Sequence, residues 1–357
     1  MKKILISTGG SGGHVIPALN LFDHLNTKFN TLIATDKRGQ KYINDKKYKF
    51  YLLNTPKYKS NFLIPLNLIL FLICICKSIF YLKTNKITDL VSTGGYMSLP
   101  FCISAKLLGI NLYLFEPNMV IGRANRLFIN YCKKIICYNY NIVNFPNKFE
   151  KKIYLSDPIL KKKIYNFNNK KKVPISKKIK LLILGGSQGA EFFDKFIIDL
   201  VFKISKTKKI SIIQQASNQN KIHLLKNKYN KAGIENKIFS FDENIYNKIA
   251  DCNLSISRCG ASTLAELTYL NIPFIGVPFP FSKDNHQYFN AKDYQKKKCC
   301  WLIDQNKMKL NYTIELIKKI TNDSKDYNEK ILNMNKISYN NSWHKINKKL
   351  INLFNEN

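Results

Sequence analysis

Arginine is nearly missing from this strongly basic chain. Of 357 residues, 58 are lysine or arginine, and only Arg38, Arg123, Arg126 and Arg258 are arginine. The formal charge of +35 points at first sight to nucleic acid or an anionic membrane. Asn, Ile and Tyr are abundant too, a bias typical of AT-rich coding sequence, so much of this charge reads as solvated lysine. A nucleic-acid binder would show aromatic–basic interleaving on one sheet face, or a recognition helix. Neither pattern is present, and no specific nucleic-acid partner is expected. Where lysine is the default cation, a retained arginine is informative for its planar fork.

Cysteine patterning excludes two further classes. The nine cysteines form no Cys-x-x-Cys and no Cys/His set at zinc spacing. An odd count with Cys74-Ile-Cys76 and Cys299-Cys300 reads as reduced cytosolic thiols. The apolar run after Lys2-Lys3 is too short for a signal peptide and reads as a first strand. The uncharged stretch 60–76 falls short of the roughly 20 residues of a membrane span and is broken by Pro65 and Asn67. It reads as a buried helix or, with Lys57, Lys59, Lys77 and Lys83 around it, as a helix docked on an anionic bilayer surface. A true span would leave the first sheet uncovered.

What is present is core material and a repeated device. A hydrophobic content of 45% with 23 Phe, over this length, fits two α/β domains. Apolar strands are expected at 3–8, 31–35, 86–92, 111–115 and 134–138. The pattern restarts at 179–184, 210–214, 237–241, 252–257 and 274–277. Helices are expected at 14–25, 99–108, from about 190, at 261–270 and at 333–354. The Lys/Asn-rich stretch 161–180 reads as a linker or surface excursion. Strands alternating with helices imply parallel sheets, with ligands at the carboxyl ends of strands.

A glycine-rich loop follows an apolar strand twice, as Gly9-Gly10-Ser11-Gly12-Gly13-His14 and as Gly185-Gly186-Ser187-Gln188-Gly189-Ala190. Small residues let backbone N–H groups approach a phosphate, and the following helix N-terminus adds partial positive charge. Neither loop is a Walker A, and His14 stands where a dinucleotide fingerprint wants a small residue. A histidine beside an anion loop suits a general base, although an isolated one could merely cap or pack. Glu266, on the helix after Ser257-Arg258-Cys259-Gly260, could accept both hydroxyls of a ribose or be a surface ion-pair partner. No Asp-x-Asp, the pair that commonly chelates a metal under a sugar-nucleotide diphosphate, occurs in the chain. The pattern therefore favours metal-independent handling of a diphosphate, with no cofactor and no metal ligands expected.

In order and spacing, Gly9–His14 with Pro17, Ser92-Thr93-Gly94-Gly95-Tyr96, Glu116-Pro117-Asn118, Gly185–Ala190, Ser257–Glu266 and Asp284-Asn285-His286-Gln287 resemble the MurG family, the N-acetylglucosaminyltransferases of peptidoglycan synthesis. The resemblance implies an α/β GT-B architecture, two Rossmann-like doubly wound domains facing across a cleft. Residues 1–157 would be the acceptor and membrane-facing domain, and 158–336 the UDP-GlcNAc domain. A helix at about 337–357 would return to the first domain. It implies inverting transfer of GlcNAc from UDP-GlcNAc to the C4 hydroxyl of MurNAc in lipid I, giving lipid II, at the cytoplasmic face of the inner membrane.

Carried over by position, His14 is the base, and Asn118 a catalytic or acceptor-positioning group. Gly10, Ser11, Gly12, Gly13, Gly94, Gly95 and Tyr96 would hold the acceptor diphosphate. The donor would be bound by Ser11, Gly12, Gly13, Gly186, Ser187, Gln188, Arg258, Glu266, His286 and Gln287, with backbone near Phe241-Asp242 at the uracil. Leu68, Phe71 and Leu72 would dock on the anionic leaflet, where lipid I is anchored. The chain departs from the family at Asp157-Pro158-Ile159-Leu160, where Asn-Pro-Val-Arg is common, and at Leu99 and Pro117. A transferase acting on another lipid such as diacylglycerol would share the donor pocket. The first-domain set of Gly9–His14, Ser92–Tyr96 and Asn118 fits lipid I better.

Overall fold

The computed structural model describes residues 2–56, 64–167, 174–240, 242 and 244–355; for Ile64 and 187–190 it describes the backbone alone. The chain divides into two compact units, 1–161 with 341–357, and 162–340.

The first unit is built on seven parallel strands: β1 (Lys3–Ser7), β2 (Asn30–Thr35), β3 (Phe50–Leu52), β4 (Asp89–Ser92), β5 (Asn111–Glu116), β6 (Lys134–Cys137) and β7 (Ile153–Leu155). Their order is β3-β2-β1-β4-β5-β6-β7, so the winding reverses between β1 and β4. Alternate side chains serve opposite faces. Ile4, Ile6, Val91, Tyr113 and Phe115 pack with the helix Gly12–Leu25 and the C-terminal helix Trp343–Asn355. Leu5, Leu90, Leu112 and Leu114 pack with the helix Ser98–Leu107 and part of the helix Ile64–Thr84.

The helix Ile64–Thr84 lies on the surface of the first unit. Among its described side chains, only a stripe at every fourth residue, Cys74, Ser78 and Leu82, is buried. Ser104 Oγ ties it to its neighbour through the Ile75 carbonyl at 3.2 Å. Leu66, Leu68, Ile69, Leu72, Ile73 and Phe80 are all more than 40% exposed. The expectation of a helix buried in the first domain is therefore overturned. By length and composition the helix could cross a membrane, yet the buried stripe belongs to the unit's core. Lys57 and Lys59 lie outside the described residues.

The second unit repeats the winding with β8 (Ile179–Leu184), β9 (Ile210–Gln215), β10 (Glu235–Phe239), β11 (Leu254–Ser257), β12 (Phe274–Gly276) and β13 (Cys300–Leu302), in the order β10-β9-β8-β11-β12-β13. Its first helix starts at Gly186, about one turn before the expected Ala190. The 161–180 stretch is more than a linker, since Ile164 and Ile175 are core residues. The expected helix 333–354 is two, Ser324–Ser338 and Trp343–Asn355, interrupted where the chain re-enters the first unit.

Both crossings are tied to the first unit. Asn341 Nδ2 donates to the Pro158 carbonyl at 2.9 Å, and Asn20 Nδ2 to Ile159 at 3.1 Å. Lys349 pairs with Asp157 at 2.9 Å. His24 sits between the Leu160 carbonyl and Asn347, stacked on Trp343 at 3.8 Å. Burial lowers its pKa, and its polar contacts and Asp23 only partly offset this. Leu160, at the position where the resemblance leads one to expect arginine, is 1% exposed and its side chain offers no polar group.

Candidate active site

In each unit the two motif loops leave the carboxyl ends of the strands on either side of the winding reversal, where open α/β sheets bind ligands. In the first unit, β1 feeds Thr8–Ser11 and β4 feeds Thr93–Met97. The two loops touch backbone to backbone. A Cβ on Gly95 would sit 3.2 Å from the Gly9 carbonyl, and its φ of +82° already favours glycine. A Cβ on Gly94 would meet the His14 ring at 3.4 Å.

His14, in the first turn of Gly12–Leu25, is half-buried. Its Nδ1 lies 2.8 Å from the Thr93 carbonyl. A carbonyl can only accept, so Nδ1 carries the proton and Nε2 carries the basic lone pair of the neutral ring. Ser11 is the N-cap and its hydroxyl makes no cap bond; the first intrahelical bond runs from His14 N to Ser11 O at 3.0 Å. The N–H groups of Gly12 and Gly13 precede that bond, as the open donors of a helix N-terminus do.

A buried network fixes this geometry. Glu116, at the end of β5, is 2% exposed. Its carboxylate accepts from Gly122 N at 2.7 Å, Asn118 Nδ2 at 2.9 Å and Asn125 Nδ2 at 3.3 Å. Asn125 Oδ1 accepts from Ser92 Oγ at 3.0 Å, and that oxygen accepts from Gly94 N at 3.1 Å. One chain of bonds thus runs from Asn118 to the loop that holds His14. Burial pushes the Glu116 carboxyl upward, and the four hydrogen bonds it accepts, the fourth from Asn118 N at 3.4 Å, work against that shift. Arg123 and Arg126 are exposed on the short helix that turns Asn125 inward. Tyr96 is 47% exposed, and its ring packs against Phe71 at 5.9 Å. Phe71 is therefore half-buried, while Leu68 and Leu72 are the outward pair.

In the second unit, Gly186 has φ +64° and donates its N–H to Gln215 Oε1 at 3.1 Å. The side chains of Ser187 and Gln188, and all of Phe241, lie outside the described residues. The Asp242 carboxylate is occupied by the Asn244 N–H at 2.8 Å and by Lys248. Glu266 is half-buried on the helix Ala261–Tyr269. His286 Nδ1 lies 2.8 Å from the Lys283 carbonyl, after two left-handed residues, Asp284 and Asn285.

Arg258 and Gln287 do something sequence reading did not anticipate. Arg258 is 4% exposed and donates to the Val277, Pro278 and Gln305 oxygens at 3.2, 3.1 and 2.5 Å. Its guanidinium lies 4.8 Å from the Phe193 ring centre, and burial lowers its pKa to about 10. Gln287 Oε1 accepts from the backbone N–H groups of Cys259 and Phe279, both at 3.0 Å. Each residue grips the other's loop. Both hold the loops after β11 and β12 in shape, whatever further contact they make with a ligand.

Two doubly wound units with glycine loops at their reversal points have the GT-B architecture, and the family matches make the chain a glycosyltransferase of that class. The chain matches the glycosyltransferase family 28 N-terminal domain over residues 4–137 and the family 28 C-terminal domain over 180–348. It is 42% identical, over 100% of its length and 99% of the relative's, to the UDP-N-acetylglucosamine–N-acetylmuramyl-(pentapeptide) pyrophosphoryl-undecaprenol N-acetylglucosamine transferase of Pelagibacter ubique. The Rickettsia canadensis enzyme of the same name is 33% identical over 91% of this chain and 92% of its own. Among solved structures, Acinetobacter baumannii MurG superposes with a TM-score of 0.73 at 20% identity, covering 98% of this chain and 99% of that one. A UDP-glucosyltransferase from Polygonum tinctorium reaches 0.71 at 10% identity, over 100% of this chain and 99% of its own. The chain belongs to the MurG family.

Glu116 and Asn125 are the residues that motif reading left without a role. Replacing Glu116 by Gln turns an amide NH₂ toward N–H donors. The expected result is a loss of about 1–3 kcal/mol of stability and a fall in kcat of at least tenfold, with the KM for UDP-GlcNAc unchanged. Denaturant unfolding and steady-state kinetics would measure both.

Proposed function

We propose that this enzyme transfers GlcNAc from UDP-GlcNAc to the C4 hydroxyl of MurNAc in lipid I, with inversion and without a metal, forming lipid II. The observation that carries the reading is the His14–Thr93 bond, which leaves Nε2 as the basic nitrogen beside an anion loop. In the step, Nε2 takes the hydroxyl proton while the oxygen attacks C1 of GlcNAc. The C1–O bond to UDP breaks on the opposite face, and UDP leaves with the electron pair. An α-linked donor therefore gives a β-1,4 product. Asn118, held by Glu116, orients the acceptor sugar. Gly12, Gly13, Ser11, Gly94, Gly95 and Tyr96 line its diphosphate. Gly186, Ser187 and Gln188 receive the UDP phosphates, where oriented N–H groups stabilise the developing charge. Glu266 takes the ribose hydroxyls, and backbone near Asp242 the uracil. His286 and the amide NH₂ of Gln287 face GlcNAc.

The enzyme works as a peripheral protein at the cytoplasmic face of the inner membrane, docking through the helix Ile64–Thr84. Its exposed apolar side chains, with Lys77 and Lys83 at the rim, suit an anionic lipid surface. Phe71 packs on Tyr96, so a helix docked in this way would lie beside the loop proposed for the acceptor diphosphate.

Transfer of labelled GlcNAc to a short-chain lipid I analogue should proceed in EDTA, and His14→Ala should lower it at least a hundredfold. Folded wild type that binds UDP-GlcNAc yet transfers nothing would shift the acceptor to another lipid. Full activity in the mutant would remove His14 as base. Replacing Leu68, Ile69 and Leu72 by Ser should cut binding to anionic vesicles at least tenfold, since each buried leucine contributes about 1.5–3 kcal/mol. Transfer to a water-soluble acceptor should persist. Undiminished vesicle binding would exclude this helix as the docking face.

A further inference from the structure

The two phosphate loops are held by side chains at equivalent sheet positions, and these differ in charge. In the second unit the holder is neutral Gln215, at the end of β9, which accepts from Gly186 N. In the first unit it is Asp36, just past β2. Asp36 Oδ1 accepts from Gly10 N at 2.9 Å and from Gly39 N at 2.8 Å. Asp36 is 4% exposed, and its hydrogen bonds together keep its carboxyl below the usual range although burial opposes them. A fixed negative charge thus lies beneath a loop that must receive an anion, and it takes up the only N–H of Gly10. Gln215 does the same holding without a charge, so holding alone does not call for a carboxylate.

A carboxylate does allow two-pronged seating of an arginine. Arg38 donates through Nε at 3.1 Å and Nη2 at 3.0 Å to Asp36 Oδ2. This fixes the guanidinium plane, and the fork's remaining N–H groups point away from Asp36. The fork lies across Gly10, with Nη2 3.7 Å from where a Cβ would stand; Gly10 has φ +83° and leaves that space open. The Arg38 side chain is 47% exposed, within reach of a solute. It is one of four arginines in a chain that otherwise uses lysine.

We propose that Arg38 is a direct ligand of the acceptor's diphosphate, seated by Asp36 so that its outer N–H groups meet the phosphate oxygens at the Gly9–Gly13 loop. The proposal rests on the lipid I reading and adds a charged side chain to a site otherwise made of uncharged groups. Arg38 supplies the positive charge that offsets Asp36, and its fork supplies the fixed geometry that a lysine would lack.

The test compares wild type, Arg38→Ala, Arg38→Lys, Asp36→Asn and the double variant Asp36→Asn/Arg38→Ala as full chains. The probes are UDP-GlcNAc and a short-chain polyprenyl-diphosphate MurNAc-pentapeptide, with circular dichroism and the UDP-GlcNAc Kd as checks of folding. The acceptor KM should rise at least tenfold in Arg38→Ala and by less in Arg38→Lys, while the UDP-GlcNAc KM stays within twofold. The double variant removes the buried carboxylate and should keep the raised acceptor KM. Return of that KM to the wild-type value in the double variant would mean that Arg38 only neutralises Asp36, and would overturn the proposal. So would an unchanged acceptor KM in Arg38→Ala, with the lipid I reading intact. No transfer by wild type to this acceptor would overturn both.

Discussion

The close approach of two backbone loops at the winding reversal of the first sheet is the constraint on which the site depends. Strands β1 and β4 are neighbours because the winding reverses between them, so their outgoing loops meet. Glycine at 95 lets the second loop lie against the Gly9 carbonyl. That contact brings the Thr93 carbonyl to His14 and fixes which ring nitrogen is basic. Everything further out, the Ser92–Asn125–Glu116 chain and the Asn118 it holds, keeps the second loop from moving away.

The second unit solves the same problem with different chemistry. Its loops are held by long polar side chains reaching between strand ends: Gln215 to Gly186, Arg258 to the carbonyls after β12, and Gln287 back to Cys259. Burying Arg258 among aromatic rings and carbonyl oxygens costs desolvation, seen in its lowered pKa. The return is a cross-linked pair of loops after β11 and β12, held without a buried carboxylate.

Much of this was legible in the sequence because it is local. An apolar run leading into a glycine-rich loop marks a strand end, and both copies stand at the expected strand ends. What stayed hidden depends on distant partners. Glu116 reads as part of a motif, but its role appears only when Asn125 bridges it to Ser92, 33 residues away. The family resemblance makes Arg258 and Gln287 ligand contacts, while the fold uses them as anchors between the loops after β11 and β12. Hydropathy alone could not tell a buried helix from an exposed one at 60–76; only the pattern of burial in Ile64–Thr84 could. The three-residue strands β3, β7 and β13 lie at sheet edges and carry too little periodicity to be seen.

The protonation pattern of His14 tests the central constraint most directly. In ¹⁵N-histidine-labelled protein, two-bond nitrogen–proton correlations separate the two neutral tautomers. The account predicts that His14 at neutral pH carries its proton on Nδ1, with Nε2 bearing the lone pair. A neutral ring protonated on Nε2 would contradict it, because the Thr93 carbonyl would then face a lone pair and the two loops could not be joined as described.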